Sequence, residues 1–146
     1  MWKLMVISFG LVLFTLLAMD FIWLSTVGGE VYIPAMGDLM RPKPDFKPAV
    51  IFYLLYAFSL TFFTLKPIFK GPRFSVFDLV WRSGLFGLTA YATYNLTALS
   101  VIRGWPVPVS CLDMAWGSFL SAVAVSLTAF ILKATGLLRA EMVLIR

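Results

Sequence analysis

Four long apolar runs constrain this chain more than any other feature: Leu4 to Val27, Ala49 to Leu65 with an extension toward Phe69, Leu79 to Ile102, and Met114 to Leu132. Each approximates the ~20 residues a helix needs to cross a hydrocarbon core of ~30 Å. In lipid the backbone must satisfy its hydrogen bonds within its own segment, which selects helices. The breaks between the runs are polar and rich in Pro or Gly: Gly28 to Pro48 with RPKPDFKP, Lys66 to Asp78 with KPIFKGPRF, and Arg103 to Asp113 with RGWPVPVS. Helices end at such breaks, where water can satisfy the freed backbone groups. The runs predict an all-α integral membrane protein, a four-transmembrane-helix bundle. Residues 1–146 form a single transmembrane domain with helices at about 4–27, 49–69, 79–102 and 113–133.

Composition points the same way. Hydrophobic residues make up 61% of the 146 and charged residues 13%, against about 45–50% and about 25% in an ordinary globular domain. Four spans leave no room for a second, water-soluble domain. The chain has no His and a single Cys, Cys111, which removes imidazole-ligated metals, His general bases and any internal disulfide. A retinal Schiff base needs a Lys in mid-membrane, yet Lys3, Lys43, Lys47, Lys66, Lys70 and Lys133 all lie at or beyond the ends of the runs. No cofactor is expected. The net charge of +5 does not mark a nucleic-acid binder, because the twelve Lys and Arg are scattered singly between apolar runs. The first run follows Lys3 as a signal peptide would, but reaching Val27 it is too long for a signal-peptide core and reads as a retained helix.

Orientation follows from those cations. The N-terminus (Lys3), the middle loop (Lys66, Lys70, Arg73, with Arg82 at its edge) and the C-terminus (Lys133, Arg139, Arg146) carry eight, while the first loop (Arg41, Lys43, Lys47) and the third (Arg103) carry four. The positive-inside rule then puts both termini and the middle loop in the cytoplasm. The halves also resemble each other in the same direction. Ala57 to Lys66 and Ala124 to Lys133 are identical at seven of ten positions, and Ser8, Leu13, Asp20, Leu24 and Ser25 align without gaps on Ser83, Leu88, Asn95, Leu99 and Ser100. A tandem parallel repeat of two helical hairpins would produce this pattern, and so would chance within a small apolar alphabet.

Asp20 is the sharpest anomaly. It stands about seven residues before the outer end of the first run, roughly 10 Å deep at ~1.5 Å per residue. An ionised Asp at a helix centre costs on the order of 2.5–3.5 kcal/mol on insertion scales, so something must compensate it. It reads either as a cation-binding or proton-carrying carboxylate or as a hydrogen-bonded pin between helices. Alternating helix directions bring Tyr53 and Tyr56, then Tyr91, Tyr94 and Asn95, to the same outer half, and Asp113 and Trp116 open the fourth helix there. On the third helix Gly84, Gly87, Tyr91, Tyr94 and Asn95 recur at three or four residues and predict one inward face. The fourth helix presents Gly117, Ser121 and Thr128, or Ser118 and Ala122, as a packing stripe. Trp2, Trp81 and Trp105 read as interface anchors. Arg103 and Asp113 bracket a short loop and read as a salt bridge across it, and Glu30 and Asp38 as solvated. No loop has a metal-ligand spacing, and no metal is expected.

The chain resembles a family of small bacterial membrane proteins catalogued as domain of unknown function 2177. Asp20-Phe-Ile-Trp23-Leu, Phe52-Tyr53-Leu-Leu-Tyr56, Gly84-Leu-Phe-Gly-Leu-Thr-Ala-Tyr-Ala-Thr-Tyr94, Arg103-Gly-Trp-Pro106 and Asp113-Met-Ala-Trp-Gly117 carry the resemblance over nearly the whole length. The family pattern continues its third helix as Tyr-Asp-Leu-Thr-Asn, where this chain reads Tyr94-Asn95-Leu96-Thr97-Ala98. A mechanism using one acid from the first helix and one from the third would therefore keep only Asp20. The resemblance implies a membrane architecture and a bacterial inner (plasma) membrane location, and no activity.

The ligand-binding set expected from all this is Asp20, Trp23, Tyr53, Tyr56, Tyr91, Tyr94, Asn95, Asp113 and Trp116. The first functional reading is lipid binding or transport: an outer-leaflet polar and aromatic pocket that receives a small amphipathic or cationic molecule or a lipid. Membrane lipids and a second copy as homodimer are its partners. The second reading is a structural accessory subunit or assembly factor of a larger membrane complex. A third, an intramembrane lipid-modifying enzyme with Asp20 and Asp113 as acid and base, ranks last without a His, a reactive Cys or a cofactor motif.

Overall fold

The computed structural model describes residues 1–144, so that Arg146, counted above among the C-terminal cations, lies outside the described residues. Four long α-helices carry the fold: α1 (Trp2–Trp23), α2 (Phe46–Leu60), α3 (Val76–Val101) and α4 (Val107–Ala134). Two of them run on past these bounds. α1 continues through a π-helical stretch, Leu24–Tyr32, an α-turn, Ile33–Met36, and a 3-10 turn, Gly37–Leu39. α2 continues through a π stretch, Thr61–Leu65, and a 3-10 turn, Lys66–Phe69.

Both π stretches end two residues before a proline, at Tyr32 before Pro34 and at Leu65 before Pro67. A proline ring has no N–H and presses on the carbonyl four residues back. Widening the preceding turns relieves that pressure: the Ile33 N–H donates to the Gly28 carbonyl and the Lys66 N–H to the Thr61 carbonyl, each five residues back. The sequence expectation stopped the first helix at Val27 and opened a loop at Gly28. The helix instead runs on to Met36, because the wider turns absorb both the Gly28–Gly29 pair and Pro34, and it breaks at Gly37, φ 51°, before the 3-10 turn that ends at Leu39.

The fourth helix also starts earlier than expected, at Val107 instead of Asp113. Pro108 falls in its first turn, where the missing N–H has no helical partner to lose. The starts of α2 and α3 are capped by side chains. The Asp45 carboxylate accepts from the Lys47 N–H at 3.0 Å before α2, and the Ser75 hydroxyl accepts from the Asp78 N–H at 3.2 Å before α3.

Three helical rods, Trp2–Leu39, Phe46–Phe69 and Val107–Ala134, are long and apolar enough to cross a membrane. α3 is long enough at 26 residues but less apolar. Ser83, Gly84, Gly87, Tyr91 and Asn95 form one buried stripe pressed against α4, while Arg82, Thr89, Thr93, Tyr94, Thr97 and Ser100 are exposed. Thr89, Thr93 and Thr97 face outward, yet each hydroxyl donates to the carbonyl four residues back.

Packing is ordered around α4, which lies against α3 along its length and also against α1. Val12, Leu16, Ala57, Leu60, Leu120, Ala124, Val125 and Leu132 form the buried core. Outside it the surface is apolar: Phe14 and Phe21 are 72% and 74% exposed, and Ile51, Leu55, Phe63 and Phe130 are exposed as well. In water such a surface would aggregate, whereas lipid is a suitable solvent for it.

One element has no sequence signal. β1 (Arg73–Ser75) pairs in parallel with β2 (Glu141–Val143), Arg73 opposite Glu141. This pair ties the C-terminal segment to the loop before α3 and marks one end of the bundle. Gly136, at φ 71°, turns the chain back toward it in a conformation that residues with a Cβ rarely adopt.

Candidate functional site

Two buried carboxylates face one cleft at the end of the bundle remote from the β-pair. Asp20 on α1 is 6% exposed and Asp113 on α4 is 8% exposed. Every carboxylate oxygen has a donor. For Asp20, Oδ1 accepts from the Trp116 indole N–H at 2.7 Å and Oδ2 from the Tyr53 hydroxyl at 2.8 Å. For Asp113, Oδ1 accepts from the Tyr32 hydroxyl and Oδ2 from the Asn95 amide, both at 2.8 Å. All four donors are neutral, so neither acid has a positive side chain against it. Between them they draw on α1, α2, α3, α4 and the π stretch after α1.

The walls are aromatic. Trp23 and Trp116 stack with ring centres 4.2 Å apart and planes 8° from parallel. The Trp23 indole N–H also donates to the Tyr32 hydroxyl oxygen at 3.3 Å, which links the two acids through a chain of hydrogen bonds and one stacked pair. Together with Phe52, Tyr91 and Tyr94 these residues enclose a cleft of about 230 Å³ that no Lys or Arg lines. That is below the ~300–1,000 Å³ of pockets that enclose drug-sized ligands, so the space suits a head group or a small molecule.

Of the residues expected from sequence, Asp20, Trp23, Tyr53, Tyr91, Tyr94, Asp113 and Trp116 line the cleft. Tyr56 and Asn95 stand behind it. The Tyr56 hydroxyl pairs with the Ser121 hydroxyl at 2.6 Å while its ring meets Tyr91 edge-on, and Asn95 supports Asp113 and donates to the Tyr91 carbonyl at 3.1 Å. The expected Arg103–Asp113 salt bridge does not form. Among the described residues the ion pairs are Arg41–Asp45 at 3.8 Å and Arg73–Glu141 at 3.7 Å, and Arg103 is exposed. Starting α4 at Val107 carries Asp113 six residues into the helix, away from the loop that holds Arg103. Glu30 and Asp38 are exposed, in line with the solvated reading.

Sequence reasoning missed Tyr32 and Phe52. Tyr32 fell in what read as a loop, and only the π stretch brings it around to the face of Trp23, nine residues earlier. A proline two residues after an aromatic at the end of an apolar run was the available signal. Phe52 lay beside the expected Tyr53 and stacks on Tyr56 at 5.2 Å. No cluster of three His, Cys, Asp or Glu side chains capable of holding a metal occurs among the described residues.

Residues 5–130 match a family model described as "Predicted membrane protein (DUF2177)". No curated protein and no solved structure matches the chain.

Proposed function

The chain belongs to that family of predicted membrane proteins, and we propose that it binds or transports a small amphipathic or cationic molecule, or a lipid, in the aromatic cleft around Asp20 and Asp113. One observation carries this reading: two buried acids share a cleft without any Lys or Arg. Buried carboxylates without a counter-charge invite a positive ligand, and the faces of Trp23, Trp116 and the Tyr rings attract cations as well. A second reading, an accessory subunit pinned together by its acids, draws support from the four satisfied carboxylate oxygens. The open space beside them favours the first.

The two readings part on charge. Phenethylammonium and its matched anion, 3-phenylpropionate, differ chiefly in sign and fit the same small space. Equilibrium dialysis against the purified protein in phosphatidylcholine nanodiscs is expected to give saturable binding of the cation and none of the anion. Saturable binding of neither would remove the ligand reading and leave the accessory subunit.

The same reading takes the bundle as four spans with both termini cytoplasmic, in the bacterial inner membrane. Residues 102–106 turn the chain from α3 straight into α4, which packs along it, so a crossing by α4 supports one by α3 in the opposite direction; the exposed Thr89, Thr93, Thr97 and Ser100 hydroxyls donate to their own helix. That topology puts the cleft in the outer leaflet. With Cys111 first replaced by Ser, cysteines at Met36 and Val107 should react with an impermeant maleimide added outside intact cells, and one at Gly71 should not. The opposite pattern would invert the topology.

Burial supports a tandem repeat as well. Ser8 and Ser83, Asp20 and Asn95, Ala57 and Ala124, Thr61 and Thr128, and Leu65 and Leu132 are aligned pairs, and both members of each are buried. Ser59 and Ser126 are both half-buried. Leu60 and Leu127 break the pattern, the first buried and the second 42% exposed.

A further inference from the structure

Four of the six side-chain donors that line the cleft are already committed to acceptors of the cleft itself. The Trp116 indole and the Tyr53 hydroxyl serve Asp20, the Tyr32 hydroxyl serves Asp113, and the Trp23 indole serves the Tyr32 oxygen. Asn95 divides its amide between Asp113 and the Tyr91 carbonyl. Only the hydroxyls of Tyr91 and Tyr94 make no hydrogen bond among the described residues. Acceptors are in surplus, because a carboxylate offers about four lone-pair sites and each of these two receives two bonds.

This imbalance restricts the occupant. An anion or a neutral acceptor would bring more lone pairs to a site whose uncommitted donors are the Tyr91 and Tyr94 hydroxyls alone, against two acids with lone pairs to spare. A quaternary ammonium would satisfy the aromatic faces and the charge, but with no N–H it would leave the carboxylate lone pairs dry, a costly arrangement in a buried site. A Ca2+ or Mg2+ ion asks six or more oxygens, and only two carboxylates converge; Zn2+ favours His and Cys ligands, which the lining lacks. We propose that the cleft selects a cation bearing N–H bonds, a protonated primary or secondary amine with one apolar substituent, over a quaternary ammonium of equal charge. The ammonium group donates to Asp20 and Asp113 while the substituent lies against the stacked Trp23–Trp116 pair. Tyr94, 47% exposed, stands at the rim. This selectivity rests on the cation reading of the cleft given above.

The ammonium has two sources, a free amine or the aminoethyl head group of a lipid, and one experiment addresses both. Phenethylammonium and N,N,N-trimethylphenethylammonium are titrated into the purified protein in phosphatidylcholine nanodiscs. The primary amine should bind at least tenfold more tightly, and Asp113→Asn, its folding checked by melting temperature, should remove most of that preference. Equal affinities, or a preference untouched in a folded Asp113→Asn, would overturn the selectivity while leaving a cation site. No saturable binding of either compound would overturn the cation reading beneath it. Phosphatidylethanolamine added to the discs then separates the sources. Competition with phenethylammonium marks the lipid head group, and its absence marks the free amine; the selectivity stands in both cases.

Discussion

Asp20→Asn is expected to melt within a degree or two of the wild type and to lose phenethylammonium affinity by roughly 10- to 100-fold, the weight of one charge-assisted hydrogen bond at about 1.5–3 kcal/mol. The amide can keep both neighbours. Its carbonyl accepts from the Trp116 indole, and its NH2 donates to Tyr53, whose hydroxyl is as able to accept as to donate. Only the charge and the acceptor capacity of Oδ2 are gone. Asp20→Leu removes the acceptors altogether and strands an indole N–H and a hydroxyl in a buried site. At about 1–3 kcal/mol for each orphaned group, a clear fall in melting temperature should follow. Melting curves and binding isotherms on the two variants therefore distinguish a ligand site from a structural pin. A well-folded Asp20→Asn that binds the amine as the wild type does would end the charge-based mechanism and favour the accessory-subunit reading.

What the sequence made legible was set by the length of its apolar runs and by the cost of placing an acid within one. The runs had the dimension of a bilayer, and each is helical in the structure, three of the rods being long and apolar enough to cross a membrane. Asp20 demanded partners, and depth along alternating helices nominated Tyr53 and Trp116, which bond it. The boundaries failed where proline was read only as a helix breaker. Pro108 sits in a first turn that lacks partners in any case, and Pro34 is accommodated by the π turns before it. Those two misreadings account for the missed Tyr32 and the misassigned partner of Asp113, whereas Phe52 lay inside an expected helix among other exposed apolar residues and had no polar group to single it out. Shortening α4 left Asp113 at the loop beside Arg103, and ending α1 at Val27 left Tyr32 in solvent. Local propensity describes one helix, whereas a wider turn is retained only if tertiary contacts reward it, and the Tyr32–Asp113 hydrogen bond is such a contact. Nothing of comparable strength announced β1 and β2, whose strands of three residues each are too short to leave a periodic pattern.

Gly87→Ala and Gly117→Ala should destabilise the protein far more than any other single methyl group added to a glycine of the bundle. A Cβ at Gly87 would collide with the Gly117 carbonyl and the Ser121 side chain, and a Cβ at Gly117 would enter the Tyr91 ring. Helices in lipid associate through close packing, and small residues are what permit it. The Ser118 hydroxyl, donating to the Gly84 carbonyl at 3.0 Å, holds α3 and α4 at that separation. Relief at Gly87 would require moving backbone, whereas at Gly117 the Tyr91 ring could swing aside into the cleft. Overpacking of this kind costs about 1–3 kcal/mol, so both variants should melt well below the wild type. Gly117→Ala should also lose amine binding, because the displaced ring occupies the ligand space. Gly10→Ala is the internal control: nothing lies within 4 Å of its added methyl, and replacing a helical Gly by Ala gains about 0.5–1 kcal/mol. Parallel melting curves of the three variants in one detergent test the α3–α4 contact directly. If all three melted with the wild type, the two helices would not approach as closely as Gly87 and Gly117 require, and Tyr91 would not be held against the cleft by that contact.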